Sequence, residues 1–116
     1  MRTLSVFIFI LTTLLATQTQ AEKLSLVFFG SSTCGECLQI KEKLLKPMMN
    51  KYPDELEIQI LDTENDSTLS IMLKMEQAYN VKSNASQELF FPDTFLCGFE
   101  DIMASGKKMI EERIGK

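Results

Sequence analysis

The run Leu24-Ser25-Leu26-Val27-Phe28-Phe29 is short, continuous and apolar on both faces. A segment of that kind is a strand buried on both sides, and it needs other strands beside it and helices over its faces. It ends in the small residues Gly30-Ser31-Ser32-Thr33 and gives way to a helical pattern from Cys37 to about Asn50. Leu38, Leu44, Leu45, Met48 and Met49 form the apolar side of that helix, and Lys41, Glu42, Lys43 and Lys46 its wet side. Pro47 is expected to kink it, because proline lacks a backbone donor and crowds the carbonyl of Lys43.

Downstream, Leu56-Glu57-Ile58-Gln59-Ile60 alternates apolar and polar and reads as a second strand. Asn65 or Asp66 can cap a helix over Ser67 to Tyr79, and Asn80 suits a left-handed helix end. Lys82 to Gln87 reads as a polar loop, Asp93 to Cys97 as a third strand and Glu100 to Ala104 as a fourth, with a turn at Gly98-Phe99. Lys107 to Ile114 makes a short closing helix. The expected fold is therefore α/β, in the order β-α-β-α-β-β-α, with a four-stranded mixed sheet flanked by helices.

The chain has 116 residues, enough for one such domain. Residues 1–21 carry a different pattern: Arg2, an apolar stretch from Leu4 to Ala16, polar Thr17 to Gln20, then Ala21. That is the layout of a secretory signal cleaved after Ala21, leaving 22–116 as the domain and placing it in the periplasm or outside the cell. The apolar stretch is short for a bilayer span, which needs about 20 residues, so membrane contact is expected only if the segment stays uncleaved. Its removal takes away Arg2 and no acid, which moves the net charge from −4 to −5. An acidic chain with interspersed charges does not suit nucleic acid, whose binding depends on clustered basic residues.

The chemistry is concentrated in sulfur. Cys34 and Cys37 enclose Gly35 and Glu36 where the first strand turns into the first helix, and Cys97 stands alone. One close pair and one distant thiol suit a working dithiol better than a disulfide framework. There is no His, which excludes Ser-His and Cys-His catalysis and removes the commonest metal ligand. A zinc site at Cys34 and Cys37 would need two more ligands, with Cys97 and acids the remaining candidates.

The order of elements, the Cys-x-x-Cys at the first strand-helix junction and a proline placed just before the expected third strand resemble the thioredoxin-like superfamily, in its small, glutaredoxin-sized form. The resemblance covers about Lys23 to Ile114. It implies a thiol-disulfide oxidoreductase with Cys34 as the exposed nucleophile and Cys37 as the buried resolving thiol. Pro92 would match the superfamily's cis proline, and Phe91 the position whose backbone pairs with a substrate peptide. The implied partners are protein or small-molecule disulfides and a dithiol protein that supplies electrons; no cofactor is implied. A glutathione-binding pattern is not recognisable.

Two departures bear on the chemistry. The stretch Val27-Phe28-Phe29, where many thioredoxins bury an acid, is wholly apolar. The central pair is Gly35-Glu36, and a carboxylate beside Cys34 should oppose its thiolate, making the couple more reducing. Gly35 and Glu36 are thus the residues expected to tune the couple, with a lean towards disulfide reduction. The competing expectation is a redox-inactive thioredoxin-like binding module in which a Cys34–Cys37 disulfide is structural. Cys97 is expected to be a small buried hydrophobe, or else a site of intermolecular or regulatory disulfide formation.

Overall fold

A computed structural model describes residues 22–114. The expected signal segment, 1–21, lies outside the described residues. The elements are β1 (Leu24–Gly30), α1 (Gly35–Ile40), a π-helical stretch (Lys41–Leu45), α2 (Lys46–Lys51), β2 (Leu56–Asp62), α3 (Asp66–Tyr79), β3 (Glu88–Phe90), β4 (Phe95–Cys97) and α4 (Phe99–Arg113). The four strands make one mixed sheet in the order β2-β1-β3-β4. β1 runs parallel to β2, antiparallel to β3, and β3 antiparallel to β4. The α/β architecture and its order of elements are those expected from the sequence.

β1 is central because its apolar residues face both ways. Leu26 and Phe28 point into the core with Cys37, Ile40, Leu44, Leu45, Leu89, Phe91, Ile102 and Ile110. Phe29 packs edge-on against Phe90, which meets Tyr79 of α3 at 4.9 Å between ring centroids. The α1–α2 rod and α4 therefore cover one face, and α3 the other. Pro47 does not bend the rod sharply. The turn before it widens to π form, with the Lys46 N–H bonding to the Lys41 carbonyl. That register bypasses the bond Pro47 cannot make, and the proline sits in the first turn of α2, where no donor is needed.

α3 begins at Asn65, whose side chain accepts from the Ser67 N–H at 2.9 Å, and ends at Asn80 in the left-handed conformation, φ 54°. The second half differs from expectation in register. β3 forms from Glu88 to Phe90, where a loop end was expected, and the strand expected at Asp93 to Cys97 is β4. The expected fourth strand, Glu100 to Ala104, is instead the first turns of α4, continuous with the expected closing helix. Ile102, Gly106 and Ile110 recur at helical spacing and are buried, which joins the two segments into one amphipathic helix. Gly98, with φ +88°, makes the turn from β4 into α4, a conformation that disfavours a side chain.

Candidate functional site

The loop Gly30–Thr33 is fastened from below by the end of β2. Asp62 Oδ1 accepts from the N–H groups of Ser32 and Glu64, both at 3.0 Å. These bonds, the Glu64 amide first and then Ser32, hold the Asp62 carboxyl below its ordinary pKa. Glu64 Oε1 accepts from Ser31 Oγ at 2.6 Å and Thr33 Oγ1 at 3.0 Å. The chain thus reaches Cys34 along a fixed path, and the Cys34 N–H closes a turn on the Ser31 carbonyl at 3.2 Å.

Cys34 is the N-cap of the helical rod. Its sulfur accepts from the Cys37 N–H at 3.1 Å, a bond that ends one of the helix's unpaired donors on a thiol. Cys34 is half-buried, whereas Cys37 is fully enclosed. Both are free thiols, and the Cys37 Sγ–H points to the Ser86 carbonyl at 3.9 Å. A second donor reaches Cys34: the side-chain amide of Gln87, 3.4 Å from Sγ and 3.4 Å from Glu36 Oε1.

These surroundings set the two thiols apart. At Cys34, burial pushes the pKa up, but hydrogen bonds from Cys37, the Gln87 amide and the Glu36 N–H outweigh it, and the thiol lies below its ordinary value. At Cys37, burial and the bond with Cys34 push the thiol up to about 11. An accessible sulfur that ionises readily beside a buried one that keeps its proton is the asymmetry a dithiol needs to attack first with one and resolve with the other. The lowered Cys34 runs against the expectation built on Glu36. The Glu36 side chain engages Gln87, and its own backbone N–H favours the thiolate.

Phe91 and Pro92 are not brought to the cysteines. Because β3 precedes them, they lie in the β3–β4 turn at the opposite end of the sheet, with the Phe91 N–H on the Thr94 carbonyl at 2.8 Å. Phe91 is a core residue roofed by the Arg113 guanidinium, 5.2 Å from its ring centroid. The described chain has no cis peptide bond, so the bond before Pro92 is trans. The position immediately before β3, which the resemblance gives to proline, holds Gln87. The backbone edge beside the two thiols is Ser86–Gln87.

Cys97 pairs with Glu88 across β3 and β4, at the same end of the sheet as Cys34, and is half-buried. An acid is also buried here, though not under the motif. Glu88 is 1 % exposed and faces α3, in register with Phe29. Gln87 and Glu88 are the site residues that sequence reasoning passed over. Among the described residues, no three His, Cys, Asp or Glu side chains form a group that would hold a metal ion.

No protein-family model matches the chain, and no curated protein matches it. The fold and the Cys34/Cys37 pair are compatible with the thioredoxin-like superfamily on geometry alone.

Proposed function

We propose that this domain is a thiol-disulfide oxidoreductase acting outside the cytoplasm through a Cys34/Cys37 dithiol-disulfide couple. The observation that carries the reading is the asymmetry of the pair: an accessible Cys34 sulfur with two N–H donors, above a fully buried Cys37. The Cys34 thiolate attacks one sulfur of a substrate disulfide. That S–S bond breaks, a mixed disulfide forms on Cys34, and the other substrate thiolate leaves to take a proton from water. Cys37 then gives its proton to water and attacks Cys34 Sγ, releasing the second substrate thiolate and closing the Cys34–Cys37 disulfide. Two electrons pass from enzyme to substrate, and a dithiol protein restores them; run backward, the same steps oxidise a substrate dithiol. Stabilising the Cys34 thiolate stabilises the reduced enzyme and moves the couple towards accepting electrons, which weakens the reductive lean that Glu36 suggested.

Two variants test the chemistry. Cys34→Ser is expected to abolish insulin reduction, and Cys37→Ser to accumulate a mixed disulfide on Cys34 that mass spectrometry detects. Full turnover in Cys34→Ser would leave the pair as a structural cross-link in a binding module. For export, the purified extracytoplasmic protein is expected to begin at Glu22; an intact Met1 terminus on that protein would overturn cleavage.

A further inference from the structure

Gln87 is 4 % exposed, so its side-chain amide needs partners inside the protein. Its two N–H groups have two acceptors within reach, Cys34 Sγ and Glu36 Oε1, each at 3.4 Å from Nε2. The residue is pinned by its main chain, since the Gln87 carbonyl accepts from the Gly98 N–H at 2.9 Å. Both neighbours of the amide nitrogen are acceptors. Turning the amide over would set its oxygen against a carboxylate and a sulfur. Glu36 therefore holds the nitrogen, and not the oxygen, towards Cys34.

We propose that Gln87 is a catalytic residue of the Cys34/Cys37 centre, donating a hydrogen bond to Cys34 Sγ whenever that sulfur carries negative charge, and that Glu36 is the positioning residue that orients it. The proposal rests on the exchange chemistry above and names a group that a proline in the same place could not supply, because proline has no donor. Its effect falls on a defined step. When a substrate's second thiolate attacks the substrate sulfur of the mixed disulfide, the S–Cys34 bond breaks and its electron pair goes to Cys34 Sγ. The Gln87 amide meets the charge there. It favours Cys34 as a leaving group and the reduced enzyme as the product. Glu36, which by sequence alone should oppose the thiolate, supports it through Gln87.

The test follows the pH dependence of Cys34 alkylation by iodoacetamide in the reduced full chain, with each cysteine resolved by peptide mass. Gln87→Met keeps the length and removes the donor; the near-isosteric Gln87→Glu replaces it with an acceptor and carries the test if the Met variant does not fold. Circular dichroism verifies the fold. Removing the donor is expected to raise the apparent pKa of Cys34 by about one unit, the order of one charge-assisted hydrogen bond, and Gln87→Glu by more. In a Glu36→Ala background the effect of Gln87→Met should shrink. A Cys34 titration unmoved in folded Gln87 variants overturns the catalytic role of Gln87; an equal effect with and without Glu36 overturns the positioning role. The titration needs no turnover. A chain that shows these shifts yet fails to reduce insulin sinks the exchange reading and leaves Gln87 as a partner of the thiolate.

Discussion

Glu88 opens β3 with both carboxylate oxygens buried and without a hydrogen-bond partner. Burial, and then the neighbouring Glu76 carboxylate on α3, push its pKa up to about 8, while Ser83 acts weakly the other way. A carboxyl that keeps its proton in the fold but loses it in the unfolded chain makes stability fall as pH rises. The loss begins above the ordinary carboxyl value, 4.5, and is complete near pH 8. The slope can approach about 1.4 kcal/mol per pH unit. Glu88→Gln removes the titrating group while keeping a side chain of the same size. Urea denaturation of the wild type is therefore expected to show a midpoint that drops between pH 5 and pH 8, and that of Glu88→Gln to stay nearly level. Parallel profiles for the two proteins would mean that Glu88 ionises without strain. Neither Glu88 nor Gln87 was legible in the sequence, because both look like the end of a polar loop beginning at Lys82. A strand of three residues is too short for alternation to declare itself, and Phe91-Pro92 drew the expected strand start towards it.

The elements around Cys34 were better legible, for a physical reason: β1 and the rod after it are long enough to show their periods. The two ends of α3 were equally plain, since Asn65 and Asn80 are set by local capping chemistry. What the pattern could not supply was how tightly each element packs. At the β1–α1 junction there is no space to spare. A Cβ on Gly30 would lie 2.8 Å from Phe28 Cε2 and 3.1 Å from Cys37 Cβ. Phe28 is fully buried and has nowhere to retreat. Gly30→Ala is expected to lose about 1–3 kcal/mol by overpacking and to make Cys37 more reactive to thiol reagents. An unchanged denaturation midpoint would show that the ring finds room. α3 is the contrary case. Thr68 is its one buried residue, and Leu69, Ile71 and Leu73 are 39 %, 44 % and 55 % exposed. Its C-terminal turn is tied to the sheet by the Tyr79 hydroxyl on the Phe91 carbonyl and by the Tyr79–Phe90 contact. Amide hydrogen exchange should be faster through α3 than through β1, and Tyr79→Phe should speed it at the α3 C-terminus by about fivefold, the worth of one net hydrogen bond of about 1 kcal/mol. Equal protection in α3 and β1 would contradict this ordering.

At the scale of the molecule, fold stability and redox state are one linked system, and comparing the reduced with the oxidised protein isolates the two active-site thiols. Glu88 titrates in both forms, so to first order its contribution cancels in the difference. In the oxidised form Cys34 and Cys37 carry no titratable proton, folded or unfolded. In the reduced form, Cys34 lies below its ordinary value, 9.0, and the fold therefore gains stability as pH rises from that lowered pKa to about 9. Cys37 has the opposite sign. Pushed up to about 11 by burial, it stays protonated while the unfolded thiol ionises, so stability is lost as pH rises from about 9 to about 11. The stability of reduced over oxidised protein should therefore pass through a maximum near pH 9. Denaturant midpoints measured with and without a reductant across pH 6 to 11 give that curve. By the same cycle, the couple should become relatively more oxidising along the rising limb, because what stabilises the reduced fold also favours its formation. Replacing Gln87 by Met is expected to flatten that limb and to carry the falling one slightly further up in pH, since the amide holds down the Cys34 thiol and, more weakly against the dominant burial, the Cys37 thiol as well. A difference curve that falls steadily from pH 6 would mean that Cys34 is not held as a thiolate, and the fold would then carry no bias towards the reduced pair.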